Sequence, residues 1–224
     1  MITFICAIFK PTTYTPEFTH HYDGSWVDKL YRGVKRNCTD PFIFIVLHDN
    51  EPYEILEEKV IKIPLLGLYK GWANLVECWR PELSDGPIFL LDLDTIITGD
   101  ITHITRTKCE LGLHRAGSRK ICNGIGIFSR EYADKLWYEW VKNSKYWIKH
   151  AKDRSGHVSE LAYLRKFAAK DAIILNGMYP KQILSYKKHY LRRPGWRNKA
   201  RIVIFHGNPK QHSINDKYLL SHWV

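Results

Sequence analysis

The chain of 224 residues, 45% hydrophobic and 25% charged, has ordinary globular proportions and the length of one α/β domain with a substantial core. No apolar run approaches the roughly 18 residues that cross a bilayer. Met1–Lys10 has no basic region ahead of its apolar stretch, so it reads as a first strand and not as a signal peptide. Five cysteines (Cys6, Cys38, Cys78, Cys109, Cys122) are scattered without a C-x-x-C pair, which points to a reducing compartment and away from a zinc site. The net charge of +11 is unevenly spread: residues 1–150 hold 19 Lys+Arg against 19 Asp+Glu, residues 151–224 hold 15 against 4. That excess favours an anionic partner or, equally, is a solvated basic face.

Thr3–Phe9 reads as a buried strand rich in β-formers, and Lys10–His21, with two prolines and no helical period, as the loop at its carboxyl end. Asp23-Gly24-Ser25 signals a helix start, with Trp26, Leu30, Tyr31 and Val34 at helical spacing and an end near Asn37. Phe42–Leu47 and Lys59–Ile63 are further strands, and Trp72–Trp79 is a helix ending before Pro81. Pro87–Leu91 is an apolar run bounded by a Gly-Pro turn signal, the pattern of a strand buried on both faces. This order opens a doubly wound α/β sheet, which places ligands off the carboxyl ends of its strands. Ala7–Tyr14, His48–Asn50 and Asp92–Asp94 are therefore expected to line one crevice. Later come strands at Cys109–Leu113 and Ile125–Phe128, a helix at Glu131–Val141, a mobile loop over 142–156, a helix at Val158–Phe167 and strands at Ala172–Leu175 and Arg201–Phe205.

Two carboxylates one residue apart in extended backbone project to the same side, so Asp92 and Asp94 can face one object. Like charges held together raise a pKa unless a cation neutralises them. A hard divalent ion, its shell completed by a phosphate, suits them. His206 also ends an apolar strand and can add a neutral imidazole ligand; the alternative is a histidine that merely caps the strand. Gly207 permits close backbone approach, and Lys210 is placed to act as a point charge on a diphosphate.

The chain resembles GT-A nucleotide-sugar glycosyltransferases of the glycogenin-like type, and most closely small bacterial and phage sequences of that superfamily. The resemblance rests on the Phe4–Phe9 strand, Leu30-Tyr31-Arg32-Gly33-Val34 with Arg36-Asn37, Pro41–Phe44 up to Asp49, Gly71-Trp72 with Asn74 and Arg80-Pro81, the DxD motif Asp92-Leu93-Asp94, Asn123-Gly124, Ser185-Tyr186-Lys187 and the HGxPK motif from His206 to Lys210. It implies a single GT-A domain over 1–224, with a nucleotide-binding half (1–100) and an acceptor half (101–224) that carries the basic C-terminal region. It implies Mn²⁺ or Mg²⁺ held by Asp92, Asp94 and His206, and a UDP-sugar with its base near Ala7, Ile8, Phe9 and Asp49. Donor contacts extend to Tyr14, Asn74, Leu93, Gly207 and Lys210. Leu75 stands where the family commonly has a donor-binding lysine, and Lys70 is the available substitute. Glu160 is matched to the family's Gly-Asp-Gln aspartate, the alternative being an ordinary exposed helix glutamate. Asn123 and Glu160 are the expected partners of the sugar hydroxyls, and retention of configuration comes with the resemblance. Asn at position 92 or 94 is expected to abolish turnover and leave the fold intact.

For the acceptor, Lys187, Lys188, Arg192, Arg193 and Arg197 interleave with Tyr186, Tyr190 and Trp196, a composition that suits a phosphate backbone and an unstacked base. The leading expectation is a polyanion such as DNA with hydroxymethylated bases. A glycan or lipopolysaccharide acceptor is the alternative, and a non-catalytic nucleic-acid-binding module a third reading. The expected location is cytoplasmic, the host cytoplasm for a phage-encoded chain.

Overall fold

The computed structural model describes residues 1–13, 15, 17–116 and 120–224. In chain order the elements are β1 (Ile2–Ile8), α1 (Gly24–Asn37), β2 (Phe42–His48), β3 (Val60–Pro64), a 3₁₀ run over Gly71–Trp79, β4 (Ile88–Leu91) and β5 (Thr95–Ile97). There follow α2 (Thr102–Thr105), β6 (Leu111–Arg115), β7 (Ile121–Phe128), α3 (Arg130–Lys142), α4 (Ser144–His150), α5 (Glu160–Phe167), β8 (Ile173–Ile174) and α6 (Leu175–Met178). β9 (Ile183–Ser185), β10 (Ile202–Ile204) and α7 (Lys217–His222) complete the chain.

Seven strands form one mixed sheet in the order β3-β2-β1-β4-β7-β6-β8. β3, β2, β1 and β4 run parallel, β8 is parallel to β6, and β7 is antiparallel to both neighbours. This is the expected α/β architecture, a mostly parallel sheet flanked by helices. The unbroken apolar run of β1 follows from burial on both faces. Phe4, Cys6 and Ile8 enter the core beneath α1, whereas Ile5 points into the core beneath α3 and α5. That second core is strongly aromatic: Trp140, Trp147 and Phe167 all ring Tyr163, and Trp79 packs beside it. A smaller sheet, β5-β10-β9, stands apart over its own core of Leu184, Tyr186, Tyr190, Val203 and Phe205. The chain passes from one sheet to the other in the three residues between β4 and β5.

Local chemistry explains most element starts. Asp23 caps α1, its Oδ1 accepting from the Ser25 N–H at 2.9 Å. Ser129 caps α3 through the Tyr132 N–H. Three expectations are corrected. The stretch 142–156 contains α4, anchored by buried Trp147, whose indole N–H donates to Glu139 Oε1 at 3.1 Å. Tyr146, Trp147 and Ile148 adjoin one another, so no spacing reveals the helix. The run Trp72–Trp79 is a 3₁₀ spiral and not an α-helix, and Leu175 opens α6 instead of closing a strand. Among the described residues no helix is long and apolar enough to cross a membrane.

Asp23→Ala removes the α1 cap and should cost about 1 kcal/mol in urea unfolding, with an unchanged denaturant slope. An undiminished midpoint would show that the cap contributes nothing.

Candidate functional site

Asp92 and Asp94 lie in the turn that joins the two sheets. The turn is pinned at both ends: the Asp92 N–H donates to Gly124 O of β7, and the Asp94 carbonyl accepts from the Phe205 N–H just past β10, each at 2.9 Å. The two carboxylates thus reach one crevice through a turn and not through the alternation of an extended strand. The crevice, about 270 Å³, is lined by Asp92, Asp94, Asn123, Glu160, His206, Gly207 and Lys210, together with Tyr22, Trp72, Leu75, His114 and Cys122. Gly124 stands at its back wall, where a Cβ would lie 2.7 Å from Ile204 Cγ2 and 3.4 Å from Asp92 Oδ2.

The charges are arranged asymmetrically. Lys210, 1% exposed, donates its ammonium to Asp94 Oδ2 and, at 2.8 Å, to Phe205 O. The Tyr22 hydroxyl donates to the same Oδ2 at 3.2 Å, and Asp94 Oδ1 is buried with no hydrogen-bond partner. Among the described residues no ion pair holds Asp92: removal from water and the facing Asp94 and Glu160 charges push its pKa well above the usual carboxylate range, against the pull of Lys210. His206 Nε2 meets Ser185 Oγ at 3.2 Å, and its buried Nδ1 has no partner. Burial and then Lys187 lower the His206 pKa, favouring the neutral imidazole. Lys187 borders this end of the crevice, its Nζ 3.0 Å from the space a Gly207 Cβ would fill. Gly207 has φ +66°, a conformation glycine adopts without strain.

As the side chains stand, no three carboxylate, imidazole or thiol groups among the described residues are gathered to hold a metal ion, and Lys210 serves as the counter-charge of Asp94. The donor set still fits a hard divalent cation. Two carboxylates and a neutral imidazole share the crevice, and Asp94 Oδ1 and His206 Nδ1 are left buried without partners.

Farther along, Asn123 Nδ2 donates to Glu160 Oε1, with Glu160 2% exposed at the first turn of α5. Burial dominates the Glu160 carboxyl and pushes it up to about 7, opposed by hydrogen bonds from the Leu161 N–H and Asn123. Glu160 is thus a buried member of the crevice and not an exposed helix residue. His114, buried behind Gly124, is held neutral, its pKa pushed down to about 4 by burial.

No known family's sequence profile matches the chain, and no curated protein matches it. Solved structures do. The glycosyltransferase GlyE of Streptococcus pneumoniae TIGR4 superposes with a TM-score of 0.66 at 15% identity, over 97% of this chain and 58% of that one. The galactosyltransferase LgtC, in complex with donor and acceptor sugar analogues, gives 0.60 at 12% identity over 93% and 88%. The bifunctional glycosyltransferase WbbM gives 0.57 at 9% identity over 93% and 46%. The fold is that of the GT-A glycosyltransferases. The chain spans little over half the length of GlyE.

In this GT-A fold Ala7, Ile8, Phe9 and Leu93 line an apolar recess that shares Tyr22, Trp72, Leu75, Asp92 and Asp94 with the crevice. Asp49, at the end of β2, accepts the Lys10 N–H at 2.7 Å. Asn74 is buried nearby in the 3₁₀ run, its Oδ1 without a partner. Lys70 lines a different depression with Ile148, Lys152 and Gly156. Tyr14 lies outside the described residues. The basic stretch is not the stacking platform expected of it. Tyr186 and Tyr190 are buried, Tyr186 stacking on both Tyr190 and Phe205, and half-buried Trp196 is covered by the Arg193 guanidinium at 4.5 Å. Arg197 Nε is held by Tyr190 O, and the Lys188 backbone N–H by Ser185 Oγ, while Arg192 is exposed. Trp72 and Ser185 entered the sequence analysis only as parts of matching segments, without a role, and Tyr22 and His114 did not enter as site residues: Tyr22 lies just before α1 and His114 within β6, where no local pattern marks them.

Below about pH 4.5 Glu160 is protonated whether the chain is folded or not and adds no pH dependence. Between there and about pH 7 the unfolded chain releases the proton that the folded chain keeps, so stability falls as pH rises. Urea unfolding across this window should show the wild type losing about 3 kcal/mol relative to Glu160→Gln, levelling off above pH 7. Parallel stability curves would contradict the raised carboxyl.

Proposed function

We propose that this chain is a glycosyltransferase that moves a sugar from a nucleoside diphosphate sugar, with UDP as the nucleotide, to a hydroxyl acceptor. The observation that carries the reading is the meeting, in a GT-A fold, of Asp92, Asp94, His206 and Lys210 in one crevice, Lys210 reaching Asp94 across 116 positions of sequence. The adjoining recess of Ala7, Ile8, Phe9 and Leu93 is apolar, as suits a base, and Asp49 accepts the N–H of Lys10, the residue after Phe9.

In the reaction the acceptor oxygen bonds to the sugar C1, the C1–O bond to the diphosphate breaks, and the electron pair leaves on the diphosphate. The acceptor's hydroxyl proton passes to the departing diphosphate. Asp92, Asp94 and His206 would hold a Mn²⁺ or Mg²⁺ ion, which when bound draws charge off the diphosphate. Lys210 and Lys187 supply ammonium donors beside it, and Gly207 lets the backbone approach. Asn123 and Glu160 hold the sugar hydroxyls and fix C1, Glu160 donating when protonated and accepting when ionised. Retention of configuration is part of the glycogenin-like resemblance. With Tyr186 and Tyr190 buried, stacking no longer supports a DNA acceptor, and a glycan hydroxyl is the better reading. All five cysteines are free, as suits a reducing cytoplasm.

Thermal-shift titration of nucleotide sugars with and without Mn²⁺ tests the donor. At 100 Kd the right ligand adds about 2.7 kcal/mol to apparent stability, and an absent shift with every nucleotide sugar and divalent ion would overturn the reading. Asp92→Asn should abolish transfer. Asp94→Asn should also cost about 3–5 kcal/mol, because it strands the buried Lys210 ammonium. The fold therefore does not pass through that change untouched, and Asp94→Asn/Lys210→Met should regain most of the loss in urea unfolding while staying inactive.

A further inference from the structure

Beyond Glu160 the crevice continues into a second, open depression of about 730 Å³, and the two share Asp153, Ser159 and Leu161 as a common wall. Five cationic side chains line it: Lys120, Lys152, Arg154, Arg165 and Lys166. Asp153 is the single carboxylate among its described lining residues, and its Oδ1 is engaged by the backbone N–H groups of Ser155 and His157 at 2.8 and 3.0 Å. Among the described residues no carboxylate pairs with Lys152, Arg154, Arg165 or Lys166.

The arrangement is partly fixed. The turn carrying Lys152 and Arg154 is closed by the bridge between Lys152 and Val158. Arg165 donates Nε and Nη2 to Ile121 O at 3.0 and 2.9 Å, which ties its guanidinium beside Cys122 of the crevice wall. Several like charges without counter-ions raise the free energy of the empty protein, and an arriving anion relieves it. The position sets what that anion belongs to. On the transferase reading the apolar recess takes the base and the Lys187–Lys210 end the diphosphate, while this depression adjoins Glu160, the residue that reading assigns to the sugar hydroxyls. Among the described residues no aromatic ring lines it, so these offer no base-stacking surface, and an open hollow of this size suits a sugar unit with its substituent.

We propose that this depression seats an anionic acceptor, a saccharide bearing a phosphate close to the hydroxyl that receives the sugar. The inference rests on the transferase reading and deepens it. It also moves recognition of an anionic acceptor from the stretch 187–197 to the turn at 152–154 and the last turn of α5.

The test is calorimetric titration of protein saturated with UDP and Mn²⁺, so that the donor phosphate sites are filled, using glucose 6-phosphate, glucose and inorganic phosphate. Glucose 6-phosphate should bind at least about tenfold more tightly than inorganic phosphate, and glucose should not bind detectably. Arg154→Gln/Lys166→Gln should weaken glucose 6-phosphate about tenfold and leave UDP affinity unchanged, whereas Arg192→Gln/Arg193→Gln should change neither. Equal binding of glucose 6-phosphate and inorganic phosphate, or indifference to Arg154→Gln/Lys166→Gln, would overturn the assignment. UDP binding without any glucose 6-phosphate binding would sink this inference alone, and failure of UDP to bind would sink the transferase reading together with it.

Discussion

Everything at the crevice depends on the three-residue passage between the two sheets. Two backbone hydrogen bonds, to Gly124 on one side and from Phe205 on the other, fix where the carboxylates of Asp92 and Asp94 can point. The same bond to Phe205 brings the strand that precedes His206 and Lys210 alongside. Acidic and basic groups far apart in the chain are therefore registered by main-chain geometry before any side-chain contact forms. Gly124 contributes by being small, since a methyl group there would press on both Ile204 and Asp92.

Around that passage the electrostatics are those of a site that holds like charges close and leaves them unevenly compensated. Asp94 has an internal ammonium, Asp92 does not, and Glu160 sits in surroundings that favour its neutral form. Such a set is unfavourable in isolation and responsive to charged ligands. The neutral state of His206, favoured by burial and by Lys187, leaves one of its two ring nitrogens unprotonated and able to accept.

Much of this was legible in the sequence. The buried strands announced themselves as apolar runs, α1 by Asp23 and a helical spacing, and the strand-end position of Asp92, Asp94 and His206 by what preceded each. What stayed hidden had physical causes. The α4 helix is short, and its anchor Trp147 is flanked by two other large apolar residues, so periodicity fails. Tyr186 and Tyr190 looked like exposed aromatics among lysines and arginines because sequence cannot reveal that a small second sheet needs them as its core. The pairing of Lys210 with Asp94 depends on β5 and β10 lying antiparallel, which no local pattern encodes. Cationic residues from the turn at 152–154 and from α5 were read as a general excess, and only the fold shows them to share one hollow.

Lys210 is stripped of water in the protein before any ligand arrives. The work of dehydrating an ammonium is thus done once, as the chain folds. That ammonium is therefore already dry, and already committed to Asp94 and the Phe205 carbonyl, before anything enters the crevice.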